Sequence, residues 1–200
     1  MQSSLFDSEN FLISSSLPQK SSQVIVRLAN VDDVNDIGDL LTLCFNNFND
    51  LTLWIYPFLK LGVCEDLRYR LKNIDTDHFC VIALKTNIVQ KQSINEIIGT
   101  VELSFRTHYR WQGKKKYPYV ANLAVSKNHR RQGIATQLLS KCQEIAKHHG
   151  FNGLYLHVLA SNKIAQELYL QNGYTIEQVE TDLFSLFVPS KRRLLLTKSI

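Results

Sequence analysis

An α/β fold with a mixed sheet is predicted for this 200-residue chain by three features. Strand and helix patterns are intermixed along its length rather than gathered into separate blocks. A strand–helix–strand unit occupies residues 119–159, the kind of crossover that joins parallel strands of one sheet. The helix inside that unit carries one apolar stripe of Ile134, Leu138, Leu139, Cys142, Ile145 and Ala146, the spacing of a helix that lies on a core. Counting the patterns gives a central sheet of about six to seven strands flanked by about four helices.

Taken in order, the first 22 residues hold eight serines and few aromatics and read as a loose tail, so the domain is expected to span 23–200. Val24 to Leu28 is a strand pattern. Asn30 or Asp32 can cap a helix whose apolar positions are Val34, Ile37, Leu40, Leu41 and Cys44. A second helical stretch, about Leu51 to Lys72, is expected to break near Pro57. Phe79 to Lys85 is a strand, Thr86 to Asn95 a polar loop, Glu96 to Arg106 a strand, and Arg110 to Tyr117 a basic turn. Tyr119 to Val125 is the strand that feeds the helix Ile134–His149, which Gly150 stops. Leu154 to Leu159, a helix Lys163–Asn172 ended by Gly173, Tyr174 to Val179 and Arg192 to Thr197 complete the chain.

Hydrophobic residues at 44% and charged residues at 20% exclude wholesale disorder. No apolar run reaches the roughly 20 residues of a membrane helix. The tail, with Asp7, Glu9 and one base, Lys20, resembles neither a secretory signal nor an Arg-rich transit peptide, and a cytoplasmic location is expected. The four cysteines are too scattered for a disulfide framework or a CxxC metal site. Charge is uneven: residues 1–100 carry 8 Lys/Arg against 12 Asp/Glu, residues 101–200 carry 15 against 6. The basic half can face nucleic acid, a phosphate-bearing cofactor, or solvent alone.

The informative segment is Arg130-Arg131-Gln132-Gly133-Ile134-Ala135, between a strand and the strongest helix. A helix start has unpaired N–H groups and partial positive charge, so it can hold an anion. Glycine lets a ligand approach the backbone closely, and paired arginines favour phosphate. The segment is neither a Walker loop nor GxGxxG.

Downstream follow Asn162, Ala165, Leu168, Tyr169, Gly173 and Tyr174. With Arg130-x-x-Gly133-x-Ala135 they make the chain resemble the GCN5-related N-acetyltransferases (GNAT). These carry [Q/R]-x-x-G-x-[G/A] at a strand–helix junction and N-x-x-A-x-x-L-Y-x-x-x-G-[FY] after it. The resemblance covers about residues 117–178. It implies the GNAT fold and acetyl-CoA as acetyl donor, with no metal. It places the cofactor's pyrophosphate on the segment from Arg130 through Arg131, Gln132, Gly133, Ile134 and Ala135 to Thr136. It places the pantetheine arm along Leu123, Ala124 and Val125, with Asn162 touching that arm.

The resemblance also assigns catalytic groups. Tyr169 falls on the family's general acid toward the CoA sulfur. Leu154-Tyr155-Leu156-His157-Val158 resembles the protein N-terminal acetyltransferase branch, which carries histidine at this point as base and pairs it with a tyrosine at Tyr119. That branch has a Tyr-Tyr pair after the motif helix where this chain has Leu183-Phe184. The implied reaction is acetyl transfer to a primary amine: a protein or peptide α-amino group, a lysine side chain, or a small-molecule amine. A non-catalytic acyl-CoA sensor is the alternative. Neither nucleic acid nor membrane is an expected partner, and a monomer or homodimer is expected. Trp54, Ile55, Tyr56 and Phe58, with Tyr174, Phe184 and Phe187, are candidates to line the acceptor side. Lys114–Lys116 read as a solvated loop, His148-His149 as a helix end, and Cys142 as core.

Overall fold

The computed structural model describes residues 23–46, 55–72, 77–89, 92–110, 113–180 and 192–200. Its strands are β1 (Gln23–Leu28), β2 (His78–Val89), β3 (Gln92–Arg110), β4 (Gly113–Val125), β5 (Gly153–Leu159), β6 (Thr175–Glu180) and β7 (Arg193–Ser199). Its helices are α1 (Val34–Phe45), α2 (Tyr56–Lys72), α3 (Ile134–His148) and α4 (Lys163–Gln171). The strands form one sheet in the order β1-β2-β3-β4-β5-β7-β6. Every neighbouring pair is antiparallel except β4 and β5, which α3 joins by a parallel crossover.

Two expectations need correction. Residues 86–89 and 92–95 are paired rather than looped: Thr86 pairs with Asn95 and Val89 with Gln92, so β2 and β3 extend along them. Nor is 110–117 an extended turn, since β3 and β4 pair from Gly99↔Val125 out to Arg110↔Gly113, which puts Lys114–Lys116 on a strand. In both segments the sequence shows no apolar alternation, while the ladder is made by backbone groups that any residue carries. The second helix is described from Tyr56, beside Pro57, and residues 51–54 lie outside the described residues. Pro57 stands in its first turn, where its missing N–H would have no intrahelical partner anyway. The tail 1–22, Trp54, Leu183, Phe184 and Phe187 lie outside the described residues.

Two cores sandwich the sheet. On one face Val81, Ile98, Val101, Leu103, Val120, Leu154 and Leu156 meet Leu138, Leu139 and Cys142 of α3 and Tyr169 of α4. On the other, Cys80, Ile82, Leu84 and Ala124 meet Ile37, Leu40 and Leu41 of α1 and Leu67 of α2. Alternation would put Val120 and Ala124 on the same face. They sit in opposite cores because β4 carries a bulge: Thr100 opposes Ala124 and Glu102 opposes Ala121, so Asn122 and Leu123 together face one residue of β3.

Asn122 takes the left-handed conformation (φ 51°) that asparagine tolerates better than most side chains. Its Nδ2 donates to Oε1 of Glu102 at 2.9 Å. Glu102 is buried, ion-paired to Arg70, and 2.9 Å from Nε2 of His78. Burial alone would push this carboxyl up, but the hydrogen bonds from His78 and Asn122 and the Arg70 charge outweigh it and hold the group below its ordinary 4.5. A depressed carboxylate stabilises the fold fully above the unfolded value and loses that contribution as pH falls through the folded value. Glu102→Gln is therefore expected to lower stability at neutral pH by about 1–3 kcal/mol. Urea unfolding across pH should also show a flatter acid limb than wild type.

Gly99 of β3 fixes how closely α3 lies on the sheet. A Cβ there would stand 3.0 Å from Leu138 Cδ1, 3.1 Å from Ile134 Cγ2 and 3.3 Å from the Ala124 carbonyl oxygen. Gly99→Val should push the start of α3 off the sheet and cost about 1–3 kcal/mol, visible as a lower urea midpoint. An unchanged midpoint would show that this contact is not close packed.

Candidate active site

The parallel ladder between β4 and β5 is short. Tyr119 pairs with Tyr155 and Val120 with Leu156, and the registered pairing goes no further. Beyond Val120, β4 keeps β3 on one edge (Thr100↔Ala124, Gly99↔Val125), and the Ser126 N–H donates to the Ile98 carbonyl at 2.9 Å. Antiparallel alternation then aims the backbone groups of Ala124 at β3 and those of Leu123 and Val125 at the edge β5 has left. An amide-bearing ligand can add to such an edge as a further strand does. The Val125 carbonyl already accepts from Nε of Arg130 at 3.1 Å and Sγ of Cys44 at 3.6 Å. The Val125 N–H and both groups of Leu123 are therefore the better placed partners.

The same strand leads to the start of α3. Gly133 is the N-cap residue, left-handed at φ 75°, and no side chain caps the helix. A Cβ at Gly133 would meet nothing within 4 Å, so it is the backbone conformation, rather than crowding by the protein, that favours glycine. Arg131 is left-handed as well, at φ 62°. Arg131, Gln132 and Thr136 are exposed, Ala135 is half-buried, and Ile134 is buried in the core as the helix anchor. The result is a helix start with its first N–H groups uncapped, flanked by two arginines, next to a free strand edge. This arrangement can hold a diphosphate and an amide chain continuous with it.

Asn162 is the N-cap of α4, its Oδ1 accepting from the Ala165 N–H at 3.1 Å, which leaves both Nδ2 hydrogens available to a ligand. Gln166, which no motif singled out, is buried and donates through Nε2 to the carbonyls of Leu159 (3.0 Å) and Ala160 (2.9 Å), tying α4 to the end of β5. Gln166 and Tyr169, three residues apart, share the buried face of α4, so the cap and this tie also hold Tyr169. Tyr169 is buried, its ring in T-shaped contact with Tyr174 at 5.7 Å. Burial, with smaller effects of the Tyr119 and Cys142 side chains, pushes its phenol up to about 12. It is therefore protonated at neutral pH and can donate a proton.

Tyr119 and His157 occupy the opposite sheet face, since Val120 and Leu156 beside them point into the α3 core. The Tyr119 hydroxyl lies 2.9 Å from Nδ1 of His157. The guanidinium of Arg106, from β3, stacks over the Tyr119 ring at 3.4 Å from its centroid. Nε2 of His157 lies 2.9 Å from Oε1 of Glu180, within ion-pair reach though not along a hydrogen-bonding direction. Oε2 of Glu180 pairs with Arg193 at 3.2 Å. Glu180 was not evident in the sequence. It comes from β6, two strands away from β5, and only the register brings it near.

Other candidates fall away from this centre. Tyr174 is buried in the α3 core and lines no acceptor surface. Phe58 is exposed on α2, Ile55 is half-buried ahead of it, and Tyr56 bonds to Asp39. Cys142 is fully buried, and burial pushes its thiol up to about 12, which suits a core residue and not a nucleophile. His149 packs against Phe79 and Phe105 at the end of α3. Among the described residues no cluster of three or more His, Cys, Asp or Glu side chains could hold a metal ion, and no helix is long and apolar enough to cross a membrane.

The model of the acetyltransferase (GNAT) family matches residues 40–174. The chain belongs to the GNAT family. It is 30% identical over 182 residues to GCN5-related N-acetyltransferase 10, chloroplastic, of Arabidopsis thaliana, covering 86% of this chain and 71% of that one. Among solved structures, the PaiA N-acetyltransferase of Thermoplasma acidophilum in complex with coenzyme A superposes with a TM-score of 0.64 at 16% identity, over 89% of this chain and 99% of that one. Arabidopsis thaliana NAA60 in complex with a bisubstrate analogue gives 0.62 at 18% identity, over 89% and 99%. As a GNAT member the chain is an acetyl-CoA-dependent N-acetyltransferase. Its uncapped α3 start and the open β4 edge fit that donor: one offers N–H groups to phosphate, the other a peptide-like ladder to amides.

For this GNAT chain, Gly133→Val tests the cradle. Holding a β-branched residue in the left-handed region costs about 1–2 kcal/mol, which amounts to about tenfold in Kd. Calorimetric titration with coenzyme A should show a loss of up to that size, and the urea midpoint should fall by the part of the strain that the free protein retains. An unchanged Kd would remove the segment from the binding site.

Proposed function

We propose that the protein acetylates α-amino groups of proteins or peptides. The observation that supports this most is the Tyr119–His157 pair, hydroxyl to Nδ1 at 2.9 Å, where β4 and β5 part. An α-amine has an ordinary pKa of roughly 7.7–8.0 against roughly 10.4 for lysine, so a histidine-backed acceptor suffices for the first and serves the second less well.

On this reading Arg131 to Thr136, with Arg130, hold the donor's diphosphate by N–H groups and charge. Leu123 and Val125, with Ala124 fixing their register, hold its amide arm, and Asn162 contacts the arm through Nδ2. Acetyl-CoA, when bound, supplies the acetyl thioester. Tyr119 and His157 take up the proton that the amine must lose, from the α1–α2 side of the sheet. Tyr169, neutral because it is buried, gives a proton to the departing sulfur from the α4 side. Acid and base thus come from elements on opposite faces of the sheet. A single domain over 23–200 would carry all of these groups. Residence in the cytoplasm stays the proposal for compartment, although the Arabidopsis relative is named as chloroplastic. A fluorescent fusion would distinguish the two.

The test is incubation with acetyl-CoA and an unbiased peptide library, read by mass spectrometry beside Tyr169→Phe. Acetyl groups on α-amines are expected, with kcat lowered about 100-fold in the variant and acetyl-CoA affinity kept. Acetylation of lysines alone, or of small amines such as a polyamine with peptides untouched, would overturn the acceptor assignment.

A further inference from the structure

We propose that Glu180 is a positioning residue that orients His157 so that Tyr119, not the imidazole itself, faces the incoming amine. The inference rests on reading Tyr119 and His157 as the proton-accepting pair. Nδ1 of His157 lies 2.9 Å from the Tyr119 hydroxyl, and Nε2 lies 2.9 Å from Oε1 of Glu180, within ion-pair reach though off the hydrogen-bonding direction. The negative charge of a carboxylate this near favours the proton on Nε2 and leaves the lone pair on Nδ1. Nδ1 is then the acceptor for the Tyr119 O–H, and the tyrosine oxygen is the atom left to meet a substrate N–H.

The proton balance follows from this arrangement. An ammonium proton passes to the Tyr119 oxygen as the hydroxyl proton of Tyr119 passes to Nδ1 of His157. The products are a free amine, an intact tyrosine and an imidazolium whose positive charge lies beside Glu180. The order tyrosine–histidine–carboxylate follows the logic of a nucleophile–base–orienter triad, with an amine activated in place of a hydroxyl.

The carboxylate is itself held. Glu180 and Arg193 are paired residues of β6 and β7, and Oε2 meets the guanidinium at 3.2 Å, which leaves Oε1 for His157. Leu195 of β7 lies between the two strands, opposite His157 on one side and Gln178 on the other. Among the described residues, the charged and titratable groups shown beside the imidazole are Tyr119 of β4 with Arg106 of β3 above its ring, Glu180 of β6 and Arg193 of β7. Glu180 is the anion among these four.

The test compares wild type with Glu180→Gln and Glu180→Asp. These changes fall at the end of an edge strand that is mostly exposed, so the fold should survive. For acetylation of an α-amine peptide, Glu180→Gln is expected to lower kcat about tenfold. KM for acetyl-CoA should stay within about twofold, because the donor cradle is elsewhere, and the acid limb of the rate profile should move. Glu180→Asp should recover part of the rate. A kcat within about twofold of wild type, with an unmoved acid limb, would overturn the proposal.

A second readout needs no substrate. Long-range 15N–1H spectra of the free protein, recorded above the histidine titration range, should show His157 protonated on Nε2, and Glu180→Gln should change the tautomer populations. A proton found on Nδ1, or populations untouched by the substitution, would overturn the role of Glu180 even if the acceptor proved not to be an α-amine. If the wild type fails to acetylate peptides while His157 still responds to Glu180, the acceptor assignment falls and the positioning role stands.

Discussion

The structure depends on a ladder that stops early. Among the described residues β4 and β5 are the only parallel neighbours in the sheet, and their registered pairing covers Tyr119–Val120 against Tyr155–Leu156. Had it continued, Leu123 and Val125 would have spent their outward N–H and C=O groups on β5. Because it ends, a strand edge stands open inside the sheet, protected on its other side by β3. The same strand delivers the chain to the uncapped start of α3. Donor arm and donor phosphates are thereby offered partners along one continuous stretch of backbone, which explains how a site can be built largely from main-chain groups.

Three details keep that stretch in place. The bulge at Asn122 and Leu123 reverses the faces of β4, so that Tyr119 turns away from the α3 core while Ala124 fits the α1 core. Glu102 pins the bulge through Asn122 and is itself held by Arg70 and His78. Gly99 lets α3 approach the sheet at contact distance. A buried carboxylate with three partners and a glycine under a helix look like features of stability. Here they also determine where the tyrosine and the helix start point.

The proposed site draws on both faces of the sheet. Tyr169 comes from the α4 side, where it is buried, while Tyr119, His157 and Glu180 lie on the other. Among the described residues the basic surplus of the second half is partly spent locally: Arg106 stacks on Tyr119, Arg193 pairs with Glu180, and Arg130 holds the Val125 carbonyl. Charge counting alone left nucleic acid, a phosphate-bearing cofactor and solvent open. Several of these cations already have partners within the protein.

Much of this was legible in the sequence where side-chain identity reports local geometry. The apolar stripe placed α3 to within one residue of its end, and Asn162 followed by Ala165 marked a helix start. Tyr119, His157 and Tyr169 could be named from motif position. Glu180 could not: its meeting with His157 is set by the register of β5, β7 and β6, and nothing in the order of residues 157–180 encodes it. The bulge was hidden for the same reason, with the tolerance of Asn122 for a left-handed turn as its only trace. The two paired segments were misread because their polar stretches pair through backbone.

The most direct test of the account is amide hydrogen exchange with and without saturating acetyl-CoA. Slower exchange at Leu123, Val125 and Gly133 through Thr136, with β1 unaffected, is the predicted pattern. If calorimetry shows the site filled and these amides exchange as before, the donor does not lie along the open edge of β4, and the account is wrong at its base.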